Sequence, residues 1–152
     1  MIRIESNSPE ETFEAGRRLA AAAEPGDVFA LSGDLGAGKT VFTKGFAAGL
    51  GITEPVSSPT FTILQVYEEG RLPLYHFDVY RIGDPEEMEE IGFDDCIFGG
   101  GVCLIEWAAN ILEILPENTR TVTIERDPEK GPDFRRIEIE EEGDRKESGF
   151  MA

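Results

Sequence analysis

The segment SGDLGAGKTVF, residues 32–42, holds glycine, four further residues, glycine, lysine and threonine, which is the pattern of a phosphate-binding loop. Glycine lets the backbone wrap so closely that successive N–H groups point into one anion-binding concavity. Lys39 would place its charge against terminal phosphates, and the Thr40 hydroxyl is a natural ligand for the magnesium that accompanies a nucleotide. The segment therefore predicts a nucleotide-binding site.

Such a loop needs a strand before it and a helix after it, and both are predicted. DVFALS, residues 27–32, is a short apolar run that follows a Pro-Gly pair and is typical of a strand. After the loop, apolar residues recur at helical spacing, namely Val41, Phe42, Phe46, Ala47 and Leu50. Gly49 and Gly51 supply an end to that helix. These flanks favour a phosphate loop over a surface glycine loop with an unrelated lysine.

The rest of the chain predicts one α/β domain, residues 1–140, followed by a charged tail, residues 141–152. Strands are expected in MIRIES, FTILQVY, LPLYHFDVY, GGGVCLIEW, TRTVTIER and FRRIEIE. The third of these is expected to form a hairpin with the second, and the last two are expected to pair with each other.

Capping residues indicate where the other helices begin and end. Ser8 and Glu11 form a capping box that starts a helix running to about Ala23. A short helix is expected in DPEEMEEIG, with Asp84 as its cap, and another in ANILEILPE, ended by Pro116.

Composition limits the class of protein. The chain has 152 residues, 40% hydrophobic and 30% charged, which suits one ordinary globular core. It shows neither an apolar run of ~20 residues nor the basic and apolar regions of a signal peptide, so we expect a cytoplasmic protein without a membrane partner. Cys96 and Cys103 are expected to be buried or idle thiols. With His76 as the only histidine, a Cys–His metal cluster is not expected.

The net charge of −17 opposes direct, independent binding to nucleic acid, because a phosphate backbone would be repelled by most of this surface. The charge is explained either by solubility or a salty cytoplasm, or by attraction to a basic protein partner, and charge alone favours the first explanation. The acidic excess makes Lys39 more notable, because a polyanionic nucleotide needs local positive charge.

Acidic residues at strand ends are candidates for the rest of the site. Glu106 ends the apolar run VCLI, where nucleotide hydrolases place a carboxylate beside the metal. Asp78 ends another strand and shares a face with His76, because side chains alternate along a strand. For His76, a functional role and a half-buried hydrogen-bonding role are equally favoured. Arg81 suits a phosphate contact and a structural ion pair equally well.

The loop SSPTF, residues 57–61, is a further candidate. Pro59 stiffens the loop and Thr60 presents a hydroxyl beside a following strand. In many nucleotide switches a loop threonine senses the terminal phosphate, although an ordinary serine–proline turn explains the pattern as well.

Together, GDLGAGKT, SSPTF, HFDVYR and IEW occur in an order and approximate spacing that resemble the TsaE family. The members of that family are small bacterial ATPases needed to make threonylcarbamoyladenosine in transfer RNA. The resemblance runs from about residue 8 to residue 140. The phosphate loop is shared by a very large superfamily, and its combination with HFDVYR and EW makes the match specific.

The resemblance implies a P-loop α/β sandwich with a mixed central sheet, which binds ATP and Mg²⁺. It places Thr40, Glu106 and Asp78 on the metal side, and Asp78, Glu106, Thr60 and Trp107 at the catalytic centre, although a core anchor is also a respectable role for Trp107. The nucleotide-binding residues that it implies are Gly33, Asp34, Leu35, Gly36, Ala37, Gly38, Lys39, Thr40, Ser8 and Arg135. It also implies two partners, TsaB-like and TsaD-like proteins, in the transfer of the threonylcarbamoyl group to transfer RNA.

One departure and three rival functions stand beside this resemblance. Ala108 and Ala109 follow EW, where the family often has proline and an acid, which affects the local turn and any partner contact there.

A Ras-like GTPase would need Asn-Lys-x-Asp and Asp-x-x-Gly motifs, and the sequence has neither. A small-molecule kinase would need an arginine-rich lid, and the chain has few basic residues beyond the loop. A nucleotide-binding regulator that does not hydrolyse remains compatible with the sequence.

Overall fold

Seven strands form one mixed sheet in the computed structural model, which describes residues 1–33, 38–56 and 63–141. The strands are β1 (Ile2–Ser6), β2 (Val28–Gly33), β3 (Leu64–Tyr67), β4 (Leu74–Asp78), β5 (Val102–Glu106), β6 (Arg120–Arg126) and β7 (Arg135–Ile139). Their order across the sheet is β1-β7-β6-β2-β5-β4-β3. Neighbours from β6 to β4 are parallel, whereas the pairs β1–β7, β7–β6 and β4–β3 are antiparallel.

Helices cover both faces of this sheet. The helices are α1 (Pro9–Ala21), α2 (Lys39–Gly49), α3 (Glu87–Glu90) and α4 (Phe93–Ile97), with 3₁₀ segments at Ala108–Ile114 and Pro128–Lys130. One core lies between the sheet and α1 and α2, and contains Phe29, Phe42, Phe46, Leu104 and Ile124. The other lies beneath α3, α4 and the first 3₁₀ segment, and contains Phe77, Met88, Phe93, Ile105 and Ile111. The predicted α/β class, a mixed sheet flanked by helices, is confirmed.

Parallel strands covered on both faces become continuous apolar runs in the sequence. In β5 every residue from Val102 to Glu106 is buried, which explains why VCLI shows no alternation. Its last residue, Glu106, is the exception to the apolar rule, and it lies at the edge of the sheet where α2 begins.

The position of α2 depends on a close contact with α1. The Ser8 hydroxyl accepts a hydrogen bond from the Glu11 N–H at 3.1 Å and caps α1 as predicted. The Glu11 carboxylate accepts from the N–H of Asn7 at 3.2 Å, one residue before the amide that a capping box uses. Further along, a Cβ added at Gly45 of α2 would overlap the carbonyl oxygen of Phe13. Glycine thus lets the two backbones touch, and this contact fixes the helix that carries Lys39.

The short helices differ from the predictions. The helix expected from Pro85 begins at Glu87, because Asp84 accepts from the Glu86 N–H at 3.0 Å and holds a turn ahead of the helix. The helix expected in ANILEILPE is 3₁₀, and α4 was not predicted. Helix α1 ends at Ala21, two residues before the expected end. Segments as short as α3, α4 and the 3₁₀ segment have too few residues to show a helical period, and burial of their apolar side chains holds them in place.

Several remaining expectations concern the whole chain. Cys96 and Cys103 are free and buried, as expected. Within the three described ranges we find no helix long and apolar enough to cross a membrane. Apart from Glu141, the predicted tail lies outside the described residues, so the domain boundary stays a prediction.

Candidate active site

Three strand ends and one helix start converge at a single edge of the sheet. Strand β2 ends at Gly33, β4 at Asp78 and β5 at Glu106, and α2 begins at Lys39. The strand register pairs Glu106 with Asp78 on one side and with Leu31 on the other. The carboxyl ends of parallel strands are where α/β proteins bind their ligands. The structure therefore brings together predicted site residues from three distant parts of the sequence.

The start of α2 resembles an anion-binding helix end. Gly38 precedes it with φ 101°, a left-handed conformation that favours glycine, and no described side chain caps the helix. The first backbone N–H groups of a helix lack partners within it, and together with the helix dipole they attract anions. Thr40 is exposed in the first turn. The predicted loop residues Asp34, Leu35, Gly36 and Ala37, and also Thr60, lie outside the described residues.

Lys39 lies between a carboxylate and an aromatic ring. Its Nζ is 4.0 Å from Glu106 Oε1 and 4.9 Å from the centroid of the Trp107 ring. The Lys39 side chain is only 11% exposed and that of Glu106 only 7%. A pair of opposite charges this sheltered is screened much less by salt than a surface pair. The lysine is thereby held at the helix start, within reach of any anion that binds there.

The other oxygen of Glu106 is bound by a histidine. His76 Nε2 lies 2.8 Å from Glu106 Oε2, and the His76 side chain is fully buried. Strand alternation had predicted that His76 and Asp78 share a face, and this face is the one that Glu106 also occupies. The contact itself joins residues 30 positions apart and has no signal in the sequence spacing.

Asp78 is held beside Glu106 by backbone hydrogen bonds that continue past the strand end. The Val79 N–H donates to the Glu106 carbonyl at 3.2 Å, and the Asn110 side-chain amide donates to the Val79 carbonyl at 3.0 Å. Asp78 Oδ1 accepts from the Tyr80 N–H at 3.0 Å, which fixes the orientation of the half-buried carboxylate. The two acids thus lie next to each other at the same edge.

Trp107 occupies an unusual backbone position. Its φ of 64° makes it the one non-glycine residue with positive φ in the described part of the chain. For a bulky residue that conformation is strained, and strain of this kind clusters at functional sites. Trp107 is 41% exposed and its ring lies 4.8 Å from the Tyr80 ring, centroid to centroid, so it is not a core anchor. It borders a cleft of ≈ 340 Å³ that is also lined by Lys39, Leu112 and Leu115.

The two remaining predicted residues are Arg135, at the start of β7, and Ser8, the residue before α1. A Cβ at Gly38 would be 3.5 Å from Arg135 Nε, and Arg135 and Gly38 line a small pocket with Thr12. Arg135 Nη1 donates to the Pro132 carbonyl at 2.9 Å. Arg135 therefore lies next to Gly38 at the start of α2, and its nucleotide contact stays a prediction. The Ser8 hydroxyl accepts from the first turn of α1, and its nucleotide contact stays a prediction.

Other side chains at this edge were given weaker roles or were missed. Tyr80 and Asn110 were missed, because neither ring stacking nor a bond to a distant carbonyl leaves a pattern in the sequence. Arg81 is exposed and makes no ion pair with another described residue.

Comparison with known proteins identifies the family. A family model described as threonylcarbamoyl adenosine biosynthesis protein TsaE matches residues 6–137. The chain belongs to the TsaE family. It is 54% identical over 140 residues to the tRNA threonylcarbamoyladenosine biosynthesis protein TsaE of Bacillus subtilis strain 168, which covers 92% of this chain and 85% of the relative. The corresponding protein of Treponema pallidum is 47% identical over 123 residues, 81% of this chain and 90% of the relative.

A solved structure agrees with this assignment. The crystal structure of Bacillus subtilis YdiB matches with a TM-score of 0.80 and 47% identity, over 97% of this chain and 89% of that chain. The resemblance to TsaE drawn from four short motifs is thereby confirmed. At the one noted departure from the TsaE pattern, Ala108 is buried and Ala109 exposed, and both line the cleft beside Trp107.

Proposed function

We propose that this TsaE protein binds and hydrolyses ATP within the apparatus that transfers a threonylcarbamoyl group to adenosine in transfer RNA. The observation that carries the proposal is the meeting of Lys39, Glu106 and Asp78 around the start of α2. Phosphoryl-transfer enzymes combine two parts at such an edge. One is a cation that binds the phosphates, and the other is a set of carboxylates that binds a metal ion. Family membership supports the pathway, and the site supports the chemistry.

The oxygen donors at this edge fit a magnesium ion. Glu106 and Asp78 offer carboxylate oxygens, and Thr40 offers a hydroxyl at the helix start. Mg²⁺ is usually bound through one or two carboxylates together with substrate phosphates. When bound, Mg²⁺ would neutralise charge on the phosphates.

Each side chain of the site would have a separate role in the reaction. Lys39 Nζ, which lies 4.0 Å from Glu106 Oε1, would move from this carboxylate to contact the terminal phosphates when ATP binds. Glu106 and Asp78 would then hold the metal side and orient a water for attack on the terminal phosphorus. Attack forms a new P–O bond and breaks the bond to ADP, which releases phosphate and a proton. Trp107 would border the reacting group, and Thr60 would sense the terminal phosphate.

We further propose that TsaB-like and TsaD-like partners accelerate this reaction. In related hydrolases an arginine that stabilises the transition state is worth ~10³ to 10⁵ in rate, and a partner can supply or position it. Arg81, the arginine closest in sequence to Asp78, is exposed and has no described carboxylate to hold it in the site. The net charge of −17 suits docking onto a basic surface, so association should weaken as salt rises.

Phosphate release from the purified protein, alone and with the partner pair, at two salt concentrations, tests the proposal. We expect slow turnover alone, faster turnover with partners, and a smaller stimulation at high salt. If no phosphate is released even with the partners present, the protein is instead a nucleotide-binding regulator that does not hydrolyse ATP. Fast turnover that partners do not change, with a phosphorylated small molecule as product, would indicate a kinase.

A further inference from the structure

We infer that His76 is a positioning residue that orients Glu106, so that one carboxylate oxygen is held and the other is offered to the site. The inference rests on the proposed function for its consequences but not for its geometry. His76 lies on β4, level with Leu104 of β5, on the sheet face that packs beneath α1 and α2. It is fully buried, on a face where its neighbours Leu74 and Leu104 are buried apolar residues.

The hydrogen bond determines which nitrogen carries hydrogen. Glu106 Oε2 lies 2.8 Å from His76 Nε2, and a carboxylate only accepts hydrogen bonds. Nε2 must therefore donate, whether or not the second nitrogen is also protonated. The second nitrogen, Nδ1, is buried and has no hydrogen-bond partner in the described part of the chain. A buried polar atom without a hydrogen-bond partner is unfavourable. The ring is therefore packed in the orientation that makes the Nε2–Glu106 hydrogen bond, although this orientation leaves Nδ1 without a described partner.

The hydrogen bond to His76 engages one carboxylate oxygen of Glu106 and leaves the other oxygen for the site. With Oε2 held by His76, Oε1 faces Lys39 Nζ at 4.0 Å and the start of α2. Only 5% of Glu106 is exposed, so water contributes little to holding its orientation. Carboxylates that bind metals are commonly oriented by a hydrogen bond of this kind, and loss of such a bond typically costs ~10 to 100-fold in metal affinity or activity. His76 would thus set the position of the oxygen that the metal side uses.

The first test needs no enzymatic activity, and the single histidine of the chain makes it unambiguous. Nitrogen NMR of ¹⁵N-histidine-labelled protein should show hydrogen on Nε2, protected from exchange with solvent. In Glu106→Leu, which removes the acceptor, the Nε2 resonance should shift and its hydrogen should exchange faster. Hydrogen found only on Nδ1 in the wild type would overturn the inference, because Nε2 could not then donate.

The second test compares two variants of His76. His76→Leu removes the donor and His76→Gln keeps an amide N–H. We expect His76→Leu to raise the Mg²⁺ concentration that half-saturates ADP binding by about tenfold or more, with the affinity for ADP in EDTA unchanged. His76→Gln should restore most of the loss. Cys103→Val, at a buried position of β5 on the opposite face, controls for loss of stability.

A double-mutant cycle separates positioning from general damage to the fold. In a Glu106→Leu background, which has no acceptor for His76 Nε2, His76→Leu should cause little further change in Mg²⁺ dependence. An equal loss in both backgrounds, or wild-type Mg²⁺ dependence in folded His76→Leu, would show that His76 does not act through Glu106. If the wild type with partners fails to hydrolyse ATP, the proposed function fails, while the NMR and ADP-binding measurements still decide the role of His76.

Discussion

Lys39 Nζ lies 4.9 Å from the centroid of the Trp107 ring, in a cation–π arrangement at the candidate active site. Trp107 is the only tryptophan of the chain, so the tryptophan fluorescence comes from this one ring, which contacts both Lys39 and Tyr80. Nucleotide binding should draw Lys39 toward phosphate and change the field at the indole ring. We therefore expect the emission to change when Mg²⁺ and ADP are added. The same addition to Lys39→Ala should leave it constant. Binding seen by calorimetry without a change in wild-type emission would contradict this geometry.

Lys39→Ala should abolish nucleotide binding, because the described structure places no second lysine beside the start of α2. Titration calorimetry with Mg²⁺ and ADP measures the effect directly. Lys44→Ala is the matched control, since Lys44 is an exposed lysine on the same helix and should keep wild-type affinity. An unchanged affinity in Lys39→Ala would mean that the glycine loop is not the nucleotide site.

Glu106→Gln and Asp78→Asn should keep the fold but reduce ATP hydrolysis by ~10²-fold or more. Each replacement removes a charge and nearly preserves shape, and a glutamine oxygen can still accept from His76 Nε2. Steady-state phosphate release gives the rate, and circular dichroism confirms the fold. Glu113→Gln, at an exposed acid of the 3₁₀ segment, should hydrolyse ATP normally. Wild-type rates in both site variants would show that these acids do not form the metal side.

The sequence predicts the elements that carry strong local signals. The core strands β2 and β5 appear as apolar runs, and α1 carries its cap in Ser8. The phosphate-loop pattern predicts both flanks of the loop, because its geometry requires a strand before it and a helix after it. The short segments α3 and α4 were misplaced or missed, since burial of Met88 and Phe93 holds them and a single turn shows no period.

The sequence indicated which residues are candidates for the site, but it did not indicate which side chains contact one another there. Glu106 and Asp78 were chosen as candidates because acids end two apolar strands, and the strand register places these two residues side by side. The bond from His76 to Glu106 depends on how β4 and β5 align, which no local pattern encodes. The left-handed backbone of Trp107 was equally hidden, because that conformation is disfavoured for a bulky side chain and the surrounding structure imposes it.

Gly45→Ala should destabilise the protein by about 3 kcal/mol or more, because the added methyl group would overlap the Phe13 carbonyl where α1 and α2 touch. Urea denaturation measures the free energy of unfolding. Gly83→Ala is the control, since a Cβ there meets no atom of the described residues within 4 Å and should change stability little. Equal stability of the two variants would show that the helices do not approach this closely. Because α2 carries Lys39, the Gly45 variant should also lose nucleotide affinity.

Burial of Cys103 should make stability fall in alkaline solution. Burial raises the pKa of its thiol from 9.0 to about 12 in the folded protein. Between these values the unfolded chain loses the thiol proton and the folded chain keeps it, so the unfolded state binds fewer protons and unfolding becomes easier as pH rises. The contribution is fully present below pH 9.0 and declines toward pH 12, by at most about 1.4 kcal/mol per pH unit.

The measurement is urea denaturation under reducing conditions at several pH values across that window, for the wild type and for Cys103→Val. Other groups titrate there too, so the quantity of interest is the difference between the two proteins. Wild-type stability should fall more steeply with pH than that of the valine variant, which has no thiol to ionise. Parallel pH profiles would mean that Cys103 is solvated, and that β5 is less completely covered than its position between two cores indicates.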